Sequence, residues 1–130
     1  MPVRTWLPAD GEGVRVLPCG RWFDAVEVYG AAGPRTLTLL GERSGPVIED
    51  QARGVLHWLI APGSGDAWLP PAAPGIRVLG AGHQLAVPPA AWTRGPATRW
   101  LLPPRGTCLT DVRRLCDAMT AAAAGTVTVP

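Results

Sequence analysis

The chain has 130 residues, 47% of them hydrophobic, and a formal net charge of +2. That length fits one domain, residues 1–130, whose core needs neither metal nor disulfide to hold it. The near-neutral balance argues against a long basic nucleic-acid stripe and leaves room for a local basic patch; every basic residue is arginine.

Residues 1–16 read as a partly irregular arm, with a short strand at 14–17. RWFDAVEV, residues 21–28, alternates as a strand. Trp22, Asp24, Val26 and Val28 fall on one face, and Phe23, Ala25 and Glu27 on the other. PRTLTLLGER then predicts a helix over 34–43, since proline suits a first helical turn. Its core side would carry Leu37, Leu40 and Leu39, and Gly41 or Gly45 would end it. A short strand at 46–49, a turn at 50–54 and an apolar strand, GVLHWLIA, over 54–61 follow.

Residues 62–75 hold too much Pro and Gly for regular structure and read as a loop pinned by Trp68 and Leu69. Strands at 76–79 and 84–87 flank Gly80-Ala81-Gly82-His83, and Pro88-Pro89 stops the second, because proline cannot donate to a ladder. TRWLL, 98–102, is another strand. The clearest helix is 110–124: Thr110 would cap it, Asp111 favours its positive end, and Gly125 closes it. Val112, Leu115, Cys116 and Met119 share one helix face. The tail TVTVP adds a strand or frays. The sum is an α+β fold, a small and mostly antiparallel sheet with two main helices.

Three cysteines without CxxC spacing and two histidines make no zinc set. Cys108, just before a helix start, reads as incidental. Reduced thiols fit a cytoplasmic protein. The N-terminus lacks a secretion-type apolar region, and no apolar run reaches membrane-spanning length, so no membrane partner is expected. No P-loop, HExxH or Ser-His-Asp context is visible. Asp24 and Glu27, three apart on one strand, point to opposite faces and make a poor shared metal site. His57 reads either as a hydrogen-bonded sheet histidine or as a ligand-facing one that contacts phosphate or moves a proton. Gly80 to His83 is a tight turn or an anion cradle. The six tryptophans fill a core poor in Phe, or else expose an apolar patch for a protein partner.

The order of these segments resembles the primase–polymerase (prim-pol) domain of bacterial, phage and plasmid replication proteins. It looks closer to the short actinobacterial relatives called bifunctional DNA primase/polymerase. The likeness spans about 17–104. It rests on GVLHWLI, where His57 matches a histidine that contacts nucleotide phosphates in that family, and on GAGHQLAVPPAAW, which keeps Gly80, Gly82, Pro88 and Pro89. An RRM-like scaffold is implied, with a nucleotide or single-stranded nucleic-acid surface around Asp24, His57, Arg77, Gly80, Gly82 and His83. The chain departs from the family where its metal-binding strand carries two alternating acids: here Asp24 is followed by Val26. Leu79 replaces an arginine, and His83-Gln84 replace Gly-Tyr. One aspartate cannot hold two cations. The resemblance therefore implies a catalytically degenerate domain, with Mg²⁺ or Mn²⁺ relevant only to residual activity at Asp24. A residual phosphate-processing enzyme using His57 and Asp24 or Glu27, and a ligand-free protein-interaction module, are the alternatives.

Overall fold

A computed structural model describes residues 6–68, 75–95, 97–105 and 109–125. It is an α+β fold with two antiparallel sheets where the sequence suggested one. The elements are β1 Arg15–Pro18, β2 Asp24–Tyr29, α1 Ala32–Leu40, β3 Val47–Asp50, β4 Val55–Ile60, the one-turn helix α2 Gly65–Trp68, β5 Ile76–Leu79, β6 Gln84–Val87, β7 Thr98–Leu102 and α3 Val112–Gly125.

The larger sheet has the order β5-β2-β4-β3-β7, every neighbour antiparallel. Its first four strands interleave as in a split β-α-β arrangement, with β4 between the strands that α1 connects. The helices cover one face. There Val26, Val28, Val47, Leu56, Trp58 and Ile60 pack against Leu40 of α1 and Val112, Leu115, Ala118 and Met119 of α3. The other face carries Phe23, Ala25, Ile48, Leu59, Leu79 and Trp100. Over part of it lies the two-stranded ribbon β1-β6, which contributes Leu17, Leu85 and Val87. Each core-facing set alternates along its strand, which is why one sheet buries two apolar layers.

Local chemistry moves several boundaries. β2 begins at Asp24 because Gly20 N–H donates to the Phe23 carbonyl at 2.8 Å, closing a loop in which Arg21 stacks over Trp22. Trp22 thus lies outside the strand. Helix α1 starts two residues before Pro34 and passes into a 3₁₀ turn at Gly41–Arg43. Leu37 and Leu40 face the core as expected, but Leu39 is 56% exposed. Asp111, not Thr110, caps α3: its Oδ2 accepts Arg114 N–H at 3.2 Å. Thr110 instead accepts Gly45 N–H at 2.9 Å and ties the α1–β3 connection to the entry of α3. A one-turn helix interrupts the loop placed at 62–75, whose residues 69–74, Leu69 among them, lie outside the described residues, as do Cys108 and the 126–130 tail.

Among the tryptophans, Trp6, Trp58 and Trp100 are buried, Trp22 packs at a core margin, and Trp92 is exposed. Trp6 meets Phe23 with ring centroids 5.1 Å apart, so the arm is anchored from its first described residue. Among the described residues no helix is long and apolar enough to cross a membrane.

Candidate functional site

Three strands of the larger sheet each place one polar side chain in an otherwise apolar layer. The register sets Glu27 of β2 opposite His57 of β4 on one side and Arg77 of β5 on the other. Directly paired residues on antiparallel strands project from the same face. The three therefore form a row on the side away from the helices.

Glu27 is fully buried and is the centre of this row. Its Oε2 meets His57 Nε2 at 2.9 Å and accepts Arg53 Nη1–H at 3.2 Å. Its Oε1 accepts Arg77 Nε–H at 2.7 Å and the Tyr29 hydroxyl at 3.1 Å. Arg53, from the β3–β4 turn, also donates Nη2–H to the Tyr29 oxygen at 2.7 Å. A carboxylate offers about four lone-pair positions, and here all are taken. Burial by itself would push the Glu27 carboxyl up. Hydrogen bonds from His57 and Arg77, reinforced by positive charge, outweigh it and hold the group at about 2. For His57 burial wins over the Glu27 carboxylate, and its pKa falls below the usual 6.5. A neutral ring that donates Nε2–H to Glu27 leaves Nδ1 as an acceptor, and Nδ1 is buried without a partner among the described residues.

A cleft of about 130 Å³ opens between this row and the ribbon. Glu27, His57, Arg53, Asp50 and Arg77 line one wall, and His83, Gln84, Leu85 and Ala86 the other. The arginine side chains stay 47% and 55% exposed at the rim, above a glutamate that is 1% exposed.

The residues singled out in the sequence do not all meet here. His57, Arg77 and His83 line the cleft. Asp24 does not: it shares its side of β2 with Val26 and Val28, and its register partner is Ile60, so it belongs to the helix-covered face. Its Oδ2 accepts Gly63 N–H at 2.8 Å, while Oδ1 is buried without a partner among the described residues. Gly80 packs beside Asp24, where an added Cβ would lie 3.5 Å from Oδ2. Gly80 to His83 is a β-turn, His83 N–H to the Gly80 carbonyl at 3.1 Å, with Gly82 at a φ of 96° that suits glycine. The His83 carbonyl accepts Cys19 N–H at 2.9 Å, which fastens the turn to the ribbon.

The acid that joins the histidine is Glu27, and the basic residue missed in the sequence is Arg53. A usable signal was present: single polar residues flanked by apolar ones in the middle of three strands, VEV, LHW and IRV, imply a cross-strand network. Among the described residues no three His, Cys, Asp or Glu side chains gather to hold a metal. Cys19 is pushed up to about 11 by burial and by the charges of Asp24 and Glu27, so it is no nucleophile at neutral pH. Compared with known proteins, the chain matches no family model, no curated protein and no solved structure.

Proposed function

We propose that the chain is a prim-pol-like domain that binds a nucleotide or single-stranded nucleic acid, in a binding or regulatory role, without nucleotidyl-transfer chemistry. The observation that carries this reading is the saturation of Glu27 by His57, Arg53, Arg77 and Tyr29. An acid stands beside a histidine on adjacent strands at an open cleft, which favours the resemblance. That acid is neutralised by guanidinium groups and has no lone pair to give a cation.

Two-metal transfer needs carboxylates on one side of the site with free oxygens. Asp24 and Glu27 lie on opposite faces of β2, so neither supplements the other. What the cleft does offer is two half-exposed arginines fixed in place, the chemistry of holding an anion. The test is primer extension with dNTPs and Mn²⁺, run beside binding of single-stranded DNA and nucleotides. Binding without extension is expected. Extension that disappears in Glu27→Ala or Asp24→Ala overturns the reading.

A further inference from the structure

The cleft is small for a whole nucleotide. Sites that enclose small ligands measure roughly 300–1,000 Å³, and this one measures about 130 Å³. It accommodates a terminal group, with the remainder of the ligand outside the rim.

The charges at that rim have a definite layering. Glu27 lies at the bottom, 1% exposed, with both oxygens engaged. Arg77 meets it through Nε, the near corner of its guanidinium, and the side chain remains 55% exposed. Arg53 meets Glu27 and Tyr29 and remains 47% exposed. The opposing charge is Asp50, whose Oδ1 accepts the Arg53 backbone N–H at 3.3 Å. Counting the two arginines against Glu27 and Asp50, the lining is neutral, so an anion gains from position and not from net charge. It approaches the guanidiniums first and the buried carboxylate last. Glu27 holds Arg77 through Nε, on the side away from its terminal fork, whereas Arg53 already gives Nη1–H to Glu27 and Nη2–H to Tyr29. Both guanidiniums are thus fixed in place, which removes much of the entropy an arginine ordinarily loses on gripping a ligand. His83 and Gln84 add polar groups on the opposite wall.

We propose that this cleft is a metal-independent subsite for one terminal phosphate group, gripped by Arg53 and Arg77. This rests on the nucleotide-binding reading above and narrows it: the phosphate monoester is recognised, and neither the base nor an internal phosphodiester is. Arg77 suits the task because its planar fork, free of the Nε bond to Glu27, matches phosphate oxygens in pairs, and Arg53 adds charge and the N–H groups it does not give to Glu27 and Tyr29. The guanidiniums supply oriented charged donors at the rim, in place of the divalent cations of other phosphate sites.

The test is thermal shift and calorimetry on the full chain in EDTA, with inorganic phosphate, AMP, adenosine, and one single-stranded oligonucleotide with and without a 5′-phosphate. Phosphate and AMP should bind and compete, adenosine should not, and the 5′-phosphate should strengthen oligonucleotide binding. Arg53→Gln and Arg77→Gln should each weaken AMP about tenfold, whereas Arg99→Gln, which breaks only the pair with Glu49 outside the cleft, should not. Two variants are used so that one failing to fold, seen in its unliganded melt, leaves the other to decide. Equal binding of AMP and adenosine, or binding abolished by EDTA, overturns the subsite. Oligonucleotide binding indifferent to its 5′-phosphate overturns the subsite and keeps the nucleic-acid reading, and no binding by any probe removes both.

Discussion

Glu27 and His57 stand directly opposite each other on antiparallel strands, Oε2 to Nε2 at 2.9 Å, both essentially shut off from water. Such a pair is costly to bury and costly to break, because removing one member strands the other. Glu27→Gln keeps the volume and one acceptor oxygen but removes the charge that Arg53, Arg77 and His57 share. Both arginines reach solvent and recover hydration, so the loss should be nearer to about 2 kcal/mol than to the upper end for a broken buried pair. Urea unfolding at neutral pH measures it. A loss under about 0.5 kcal/mol, the scale of an ordinary surface substitution, would mean the network adds nothing beyond packing.

The same pair fixes how stability depends on acidity. His57 is depressed in the folded state below 6.5, and Glu27 from 4.5 to about 2. In both cases the unfolded chain binds protons more readily than the folded one. Stability therefore increases with pH through each window. On acidification the first loss begins near 6.5, as His57 must charge inside the sheet. The second begins near 4.5 and runs down toward 2. Melting temperature followed from pH 8 to 3 should fall in that order, and Glu27→Gln should flatten the lower segment. A melting temperature that rises on acidification through this range would contradict both assignments.

The helix ends give a prediction independent of the site. Asp111 Oδ2 accepts the Arg114 N–H that would otherwise be unpaired at the start of α3. Asp111→Ala should cost about 1 kcal/mol, the usual worth of such a cap. Thr110→Val should also destabilise, through the bond to Gly45 and not through the helix. Gly45 itself admits no side chain, since a Cβ there would stand 2.7 Å from the Thr110 nitrogen. Gly45→Ala should thus be the most damaging of the three, by about 1–3 kcal/mol for an overpacked contact. Thermal melts of the three variants rank them, and a harmless Gly45→Ala would mean that the α1–β3 connection yields easily.

The sequence marked β5, β6 and β7 at their observed limits because proline and glycine bracket each one. Period-two alternation in β2 separated Phe23, Ala25 and Glu27 from Val26 and Val28, and the two apolar layers divide the same way; β4 alternates alike, with His57 and Leu59 on one face and Trp58 on the other. Pairing was not readable. Nothing local says that the N-terminal arm reaches across 65 or more residues to join β6 in a second sheet. The site suffered from the same gap. Alternation separates Asp24 from Glu27 without saying which of them shares a face with His57, and that is decided by the β2–β4 register alone. Arg53 was missed because a turn residue carries no periodic signal, and its role depends on how the β3–β4 turn folds back over Tyr29.

Asp24 offers the sharpest test of which face works. By its motif position it is the resemblance's metal acid, whereas its register with Ile60 puts it beneath the helices, bonded to Gly63 and away from the cleft. Asp24→Asn preserves an acceptor for Gly63 N–H and removes a buried charge whose second oxygen has no partner among the described residues. Lost charge–dipole attraction and relieved desolvation oppose each other, so stability should change by less than about 1 kcal/mol. AMP binding in EDTA should stay within about twofold of wild type, under the 1.4 kcal/mol that separates tenfold affinities, while Arg77→Gln weakens it. If Asp24→Asn abolishes binding in a protein that still melts normally, the ligand site lies at the Gly63–Gly80 end of β2. The Glu27 network would then be a fastener across three strands.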